Sequence, residues 1–238
     1  ALAEAVALRP DSPLHMHLAE QMAEVEEVLA FHGARPVEWL LANAEVEKRW
    51  CLIHCTQMQR AETLALAATG AVAGLCPITE SSLGDGIFDG VAWFQARGRF
   101  GLGSDSNIRI ALTEELRVLE HSQRLRDRGR AMLATAEHST GRVIYEGAAK
   151  GGAQAAGRQA GVIAPGMLAD LVALDTGSVD LEGRRGDALL DSWIFAGDDR
   201  AVREVWSAGR HLVTGGLHRD HAAIEAAYRA VVRRLKAA

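Results

Sequence analysis

The sequence predicts an α/β fold in which parallel strands alternate with helices, followed by a small β subdomain and a C-terminal helix. Four short apolar runs in the first half are each followed by a helical pattern, which is typical of a parallel β/α barrel. From residue 161 onward, strand and turn patterns replace the helices. We therefore expect residues 1–158 to form the barrel part, 159–216 the β subdomain and 217–238 the C-terminal helix.

The individual elements follow from apolar spacing and from the glycines that close helices. Strands of the barrel part are predicted at residues 14–18, 50–54, 71–76 and 100–103. Helices are predicted at residues 1–8, 21–31, 37–44, 59–69, 90–96, 113–130 and 131–158, the last broken at Gly141 and at Gly151-Gly152. In the second part we expect a hairpin of residues 202–206 and 210–213, and then a helix over 224–235.

Chemically active side chains stand at the ends of three of the four predicted strands. They are His17 with Glu20, His54, and Asp105. Carboxyl ends of parallel barrel strands meet at one face, so we expect these side chains to converge. Imidazole is a neutral metal ligand, and a carboxyl group can carry a proton beside a metal-activated water. The pattern predicts a hydrolytic metal site, although His15 and His17 alone would also fit a half-buried polar strand face.

A stretch rich in turn formers, residues 76–88, follows the third strand. We predict that it is a loop at the carboxyl end of the sheet, where β/α barrels keep their binding loops. An ordinary Gly-Asp-Gly turn is the simpler alternative. The candidate substrate-binding residues in this stretch are Thr79, Glu80, Gly84 and Asp85.

Composition bounds the class of protein and of partner. Hydrophobic residues make up 48% of the 238 residues and charged residues 24%, which is ordinary for a globular domain. The net charge of −5 argues against nucleic acid or an anionic membrane surface as partner. No apolar run approaches the roughly 20 residues of a spanning helix. We therefore expect a small-molecule substrate.

The three cysteines, Cys51, Cys55 and Cys76, lie in or beside the predicted strands. An odd number of cysteines in such positions favours reduced core residues of a cytoplasmic protein. A Cys-x-x-x-Cys zinc pair is the sharper alternative, but no second pair completes it.

Several motifs together resemble the amidohydrolase superfamily, and within it the deiminases of histidine degradation. The resemblance covers essentially the whole chain. Its general signals are His17-x-x-Glu20, His54, Gly103-Ser104-Asp105-Ser106 and the Gly-x-x-x-x-Gly-x-x-Ala-Asp-Leu-Val tail at 161–172. Its more specific signals are Glu20-Gln21, the run 50–54, the Cys-Pro-x-Thr-Glu-x-x-Leu-Gly-Asp-Gly-Ile-Phe stretch at 76–88, and the run 191–197.

The resemblance implies a mononuclear zinc enzyme with a (β/α)8 TIM-type barrel. The implied reaction is the hydrolysis of N-formimino-L-glutamate to N-formyl-L-glutamate and ammonia. His17 and Asp105 would bind Zn2+, and Asp105 would also take the proton of the attacking water. Glu20 would protonate the imine nitrogen, and His54 would orient or polarise the attacked carbon.

This chain departs from the family pattern in one large respect. The His-x-His pair of the first barrel strand has no counterpart. His15 and His17 have its spacing, but Glu20-Gln21 and the distances along the chain to His54 and Asp105 match the fifth strand instead. We therefore expect the chain to hold the last four β/α units of the barrel as an incomplete fragment. The complete protein is expected to be a homodimer.

Two smaller departures lie beside the predicted site. Gln57 stands where the family commonly has a histidine after the sixth strand, and Asn107 where a histidine often follows Gly-Ser-Asp-Ser. Both concern the fine tuning of the site rather than the reaction class. Two alternatives stay open: an amidohydrolase acting on a cyclic amidine such as a purine or pyrimidine, and an inactive remnant that serves as a binding module.

Overall fold

Two four-stranded sheets organise the computed structural model, which describes residues 2–237. The first sheet is parallel, with the strands side by side in chain order. Its strands are β1 (Leu14–Leu18), β2 (Trp50–His54), β3 (Val72–Leu75) and β4 (Arg99–Leu102). The predicted strands and their parallel pairing are confirmed.

Helices connect and cover these strands. They are α1 (Leu2–Leu8), α2 (Met22–His32), α3 (Pro36–Asn43), α4 (Arg60–Ala68), α5 (Pro77–Leu83), α6 (Gly90–Gln95), α7 (Leu112–Asp127), α8 (Thr140–Ala155), α9 (Asp187–Phe195) and α10 (His221–Lys236). No helix of the described residues is long and apolar enough to cross a membrane.

Helix α5 corrects the prediction of a loop over residues 76–88. The helix begins at Pro77, which suits a first helical position because its missing N–H would have no partner there. It ends at Gly84, whose φ of +74° is a left-handed conformation that favours glycine. Both signals are in the sequence, but the density of turn formers concealed them. Thr79 and Glu80 therefore lie on a helix.

The main core lies between one face of the parallel sheet and the helices that follow its strands. Leu52, Leu75 and Phe100 contribute from the strands, and Leu66 and Leu116 from α4 and α7; all five are at most 3% exposed. Burial of apolar area from both layers stabilises the sheet, and the parallel register of β1 to β4 brings their carboxyl ends to the same edge.

Helix α8 covers part of the opposite face of the sheet and runs unbroken from Thr140 to Ala155. The predicted break at Gly151-Gly152 is therefore wrong. A Cβ on Gly151 would lie 1.8 Å from the carbonyl oxygen of Phe100, so this glycine is where the helix backbone meets β4. The glycine serves close packing, a contact between distant residues that the local sequence does not reveal.

The neighbouring glycines of α8 give a matched test of this packing. Gly151→Ala is expected to lower the free energy of unfolding by about 1–3 kcal/mol, the usual cost of overpacking. Gly152→Ala is the control, because a Cβ there meets nothing within 4 Å. Since alanine favours helix over glycine, the control should gain up to about 1 kcal/mol. Urea unfolding monitored by circular dichroism measures both, and equal effects of the two substitutions would contradict the packing role.

The second sheet is antiparallel and contains the predicted hairpin. Its strands, in sheet order, are β5 (Leu171–Leu174), β6 (Val202–Ser207), β7 (Arg210–Thr214) and β8 (Leu217–His218). Strand β8 lies just past the predicted limit of the β subdomain at residue 216. The left-handed pair Gly215-Gly216 turns the chain back there, so that Leu217 and His218 pair with β7.

The specific motif at 191–197 falls in and just after α9, where it has a structural role. Asp191 accepts a hydrogen bond from the Gly141 backbone N–H at 2.7 Å, which ties α9 to the start of α8. Arg117 of α7 donates to the carbonyl oxygens of Ile194 (2.7 Å) and Gly197 (2.6 Å). The motif thus fastens α9 to α7 and α8.

Candidate active site

Three of the predicted site residues converge at the carboxyl ends of the strands. His17, His54 and Asp105 each offer one ligand atom, and these atoms lie within 4.8 Å of one another. His17 is an exposed residue near the end of β1, His54 is the last residue of β2, and Asp105 lies in the turn after β4. The rings of His17 and His54 have centroids 5.4 Å apart. Two nitrogens and a carboxylate oxygen at this separation are a donor set that suits Zn2+.

The backbone takes an uncommon conformation at these strand ends. Ala19, His54 and Asp105 have φ values of +51°, +70° and +44°, a left-handed region that non-glycine residues rarely occupy. In β2, strict alternation would send His54 to the same face as the core residue Leu52. The left-handed turn ends this alternation and leaves the His54 ring beside that of His17. Backbone strain of this kind clusters at functional sites.

Glu20 lies beside the imidazole of His54. Its Oε1 is 3.4 Å from His54 Nε2, and the Glu20 side chain is about one-quarter exposed while His54 is buried. Burial of the His54 ring opposes protonation, but the Glu80 hydrogen bond and the carboxylates of Glu20, Glu80 and Asp105 outweigh it and raise the pKa of His54. A partly exposed carboxyl group next to a polarised imidazole is suited to proton transfer.

His15 lies outside this cluster. Its Nε2 is 2.8 Å from the carbonyl oxygen of Ala155, at the end of α8. Among the described residues, the groups that could bind a metal do not include His15. The pairing of His15 with His17 as metal ligands therefore finds no support in the structure.

Of the four residues expected to contact substrate, the three with functional side chains bond to other protein groups. Thr79 Oγ1 lies 2.8 Å from Ser106 Oγ, Glu80 Oε1 lies 3.3 Å from His54 Nδ1, and Asp85 accepts from Gln21 at 2.9 Å. All three are buried, whereas Gly84 is exposed at the end of α5. These bonds tie the stretch to His54, Ser106 and Gln21 beside the site, and its contact with substrate stays a prediction.

The two departures from the family pattern also have local bonds. The Gln57 side chain donates to the carbonyl oxygen of Asp85, which joins the turn after β2 to the turn after α5. Asn107 accepts from the Ser104 hydroxyl at 3.0 Å within the turn that carries Asp105. Both residues therefore shape the turns around the site.

Glu115 is a buried carboxyl group that the sequence did not single out. It lies on α7, is 3% exposed, and accepts the Ile78 backbone N–H of α5 at 2.9 Å, while its Oε1 has no protein partner. Burial raises its pKa from 4.5 to about 7, helped by the nearby carboxylates of Glu80 and Asp105. Acidic residues are common in the first turn of a helix, so the position of Glu115 in the sequence did not indicate a buried carboxyl group.

This shift makes Glu115 a source of pH-dependent stability. Because the folded state binds the proton more tightly, its contribution is full below about pH 4.5 and is lost as pH rises to about 7. Glu115→Gln should remove this dependence. Between about pH 5 and about pH 8, the free energy of unfolding of the variant should therefore rise relative to that of the wild-type protein by up to about 3 kcal/mol. Urea unfolding at the two pH values measures it, with the exposed Glu45→Gln as control. An unchanged pH profile in Glu115→Gln would contradict this assignment.

The three cysteines are free and buried. Burial raises the pKa of the Cys51 thiol to about 11 and also raises the pKa of the Cys55 thiol. Cys51 faces α8, whereas Cys55 belongs to the main core. Neither belongs to a group of potential metal ligands in the described part of the chain, so the alternative of a Cys-x-x-x-Cys zinc pair finds no support.

Comparison with known proteins places this site in a family. The model of the amidohydrolase family matches residues 1–212. Formimidoylglutamate deiminase of Pseudomonas aeruginosa is 49% identical over 209 residues, which are 87% of this chain and 46% of that protein. A deaminase of 5-methylthioadenosine and S-adenosylhomocysteine from Pelotomaculum thermopropionicum is 29% identical, over 71% of this chain and 39% of that protein.

Solved structures agree with this placement. An amidohydrolase from Brucella melitensis superimposes with a TM-score of 0.93 at 46% identity, covering 98% of this chain and 52% of that one. A zinc-bound adenosine deaminase from Xanthomonas campestris gives 0.86 at 26% identity, covering 99% and 53%. The chain thus spans about half the length of the relatives that it matches. With a family model matched over most of its length, the chain belongs to the amidohydrolase family.

Proposed function

We propose that this chain supplies the last four β/α units of a (β/α)8 barrel, with a small β subdomain and a C-terminal helix after it. A sheet of four parallel strands, with its chemically active residues at the carboxyl ends, supports the proposal. So does the chain's coverage of about half of its longer relatives. The same proposal includes a homodimer of the complete protein, which light scattering of the purified protein would measure.

The function that we propose is deimination of N-formimino-L-glutamate to N-formyl-L-glutamate and ammonia. The observation that carries it is the cluster of His17, His54 and Asp105 with Glu20 beside it, on a chain 49% identical to a formimidoylglutamate deiminase. The cluster matches the needs of hydrolysis at an amidine carbon: groups to bind a metal, to accept a proton and to donate one.

Zn2+ fits the residues that are present. Two imidazoles and a carboxylate with ligand atoms within 4.8 Å are the donor types that zinc prefers. His17 and Asp105 are exposed and would hold the ion, with His54 next to it. When bound, zinc lowers the pKa of water from 15.7 to about 7 and so makes hydroxide available at neutral pH.

The protein groups then carry the protons of the reaction. Asp105 accepts one proton of the attacking water as the carbon–oxygen bond forms. His54 orients the attacked carbon from its buried position. Glu20 gives a proton to the imine nitrogen as the tetrahedral intermediate forms. The proton held by Asp105 then passes to the resulting amine, so that the carbon–nitrogen bond breaks and ammonia leaves, while the hydroxyl proton of the intermediate returns to Glu20 as the carbonyl forms. Glu20 is suited to this role because it is partly exposed and lies outside the group of potential metal ligands.

A cyclic amidine such as an adenine nucleoside is the second candidate substrate, because deaminases of such compounds are among the relatives. The test is ammonia release, with metal content measured on the same sample. N-formimino-L-glutamate is compared with 5-methylthioadenosine. Turnover of the linear substrate is expected, turnover of the nucleoside alone would favour the second candidate, and turnover of neither would favour an inactive binding module.

The test uses two proteins. One is the 238-residue chain. The other is a fusion in which the unmatched part of the Pseudomonas aeruginosa relative precedes it. Hydrolytic zinc sites use at least three protein ligands besides the reactive water, so we expect the fusion to be active and the chain alone to bind zinc weakly without turnover. Robust zinc-dependent turnover by the chain alone would refute the half-barrel part of the proposal.

A further inference from the structure

The imidazole of His54 lies between two carboxylates. Glu80 Oε1 is 3.3 Å from Nδ1 on one side, and Glu20 Oε1 is 3.4 Å from Nε2 on the other. Glu20 is partly exposed at the site, whereas Glu80 is 4% exposed and His54 1%. The two carboxylates therefore have different access to a substrate, and Glu80 can reach the reaction only through the imidazole.

We infer that Glu80 is the positioning residue of His54: it keeps a hydrogen on Nδ1 and orients the ring so that Nε2 faces Glu20. Glu80 Oε1 also accepts the Cys76 backbone N–H, so it faces Nδ1 as an acceptor, and the Nδ1–H···Oε1 bond places the hydrogen on Nδ1. A second-sphere bond of this type fixes which imidazole tautomer is present. The use of Nε2 in the reaction rests on the proposed function, but the state of the ring does not.

Glu80 is itself held rigidly. It lies in the first part of α5, and its Oε1 accepts the Cys76 backbone N–H at 2.9 Å. Its own backbone N–H donates to the Cys76 carbonyl oxygen at 2.9 Å. The acceptor for His54 is thus fixed in place before any substrate binds.

A second explanation of this arrangement is a buried metal site of His54, Cys76 and Glu80, whose ligand atoms also lie within 4.8 Å of one another. In this group Glu80 Oε1 already accepts the Cys76 backbone N–H at 2.9 Å and lies 3.3 Å from His54 Nδ1, so hydrogen bonds account for the approach of the three residues. The hydrogen-bonded pair of His54 and Glu80 is the simpler account of the geometry.

Nitrogen-15 NMR of the 238-residue chain with labelled histidine tests the inference directly. Among the nine histidines, the signals of His54 are identified by their loss in a His54→Asn variant. The wild-type protein should show a protonated Nδ1 on His54 throughout the range from about pH 6 to about pH 9, with any change confined to Nε2. An unprotonated Nδ1 in that range would overturn the inference without any variant.

Two substitutions then separate the acceptor from its charge. Glu80→Gln keeps an amide oxygen that can accept from Nδ1–H, so the tautomer should be retained. Glu80→Met has a similar volume and no acceptor, so the ordinary preference of a free imidazole for Nε2–H should return. Glu120→Gln is the control for a lost buried carboxylate, because Glu120 is fully buried but bonds to Arg124.

Retention of Nδ1–H in Glu80→Met would overturn the inference, as would the same loss in Glu120→Gln. If Glu80→Met does not fold, the wild-type and Glu80→Gln spectra still decide the question. None of these spectra depends on turnover. A protein that shows the expected tautomers but releases no ammonia would refute the proposed deiminase function and leave the role of Glu80 in place.

Discussion

Replacing Asp105 by asparagine is expected to abolish turnover in the active fusion protein. Asp105 offers a carboxylate oxygen within 4.8 Å of the ligand atoms of His17 and His54, and the proposal gives it the proton of the attacking water as well. A general base is worth about 10²–10⁴ in rate, and loss of a metal ligand adds to this. We therefore expect kcat to fall by about 10⁴ or more.

The same substitution should weaken zinc binding. Loss of a residue that hydrogen-bonds to a metal ligand costs about 10–100-fold in metal affinity, so loss of the ligand itself should cost at least about 10-fold. Isothermal titration with Zn2+ measures the affinity. Asp11→Asn is the matched control, because Asp11 is exposed and precedes β1 at the opposite end of the sheet. Wild-type zinc affinity in Asp105→Asn would exclude Asp105 as a ligand.

Replacing Glu20 by glutamine should separate catalysis from metal binding. Glutamine fills the same space but does not donate a carboxyl proton, so kcat should fall by about 10²–10⁴. Zinc content should stay close to that of the wild-type protein, because Glu20 lies outside the group of His17, His54 and Asp105. Ammonia release and metal analysis of the same preparation measure the two quantities.

The control for this experiment is Glu27→Gln, an exposed carboxylate on α2 that should leave both quantities unchanged. A near-normal kcat of Glu20→Gln at neutral pH would remove Glu20 from the proposed proton transfer. A parallel loss of zinc and activity would instead make Glu20 part of the metal site. The pair of substitutions at Asp105 and Glu20 thus tests the two halves of the proposal independently.

The sequence by itself determined the order of the strands in the first half, the helices between them except α5, and the residues that meet at the strand ends. The apolar runs that end near His17, His54 and Asp105 were sufficient to predict that these residues converge, because parallel strands joined by helices bring their carboxyl ends to one face. Turn glycines and apolar spacing likewise predicted the hairpin of β6 and β7. These features depend on local pattern and on rules of chain connection.

Only the tertiary structure decided how these residues are supported. The left-handed backbone at His54 and Asp105 is held by the surrounding fold and has no local sequence signal. The continuity of α8 through Gly151 depends on its contact with Phe100, a residue far away in the chain. The bond from Glu80 to His54 joins α5 to the end of β2. Each is a contact between distant segments, whose partners become known only when the chain is packed.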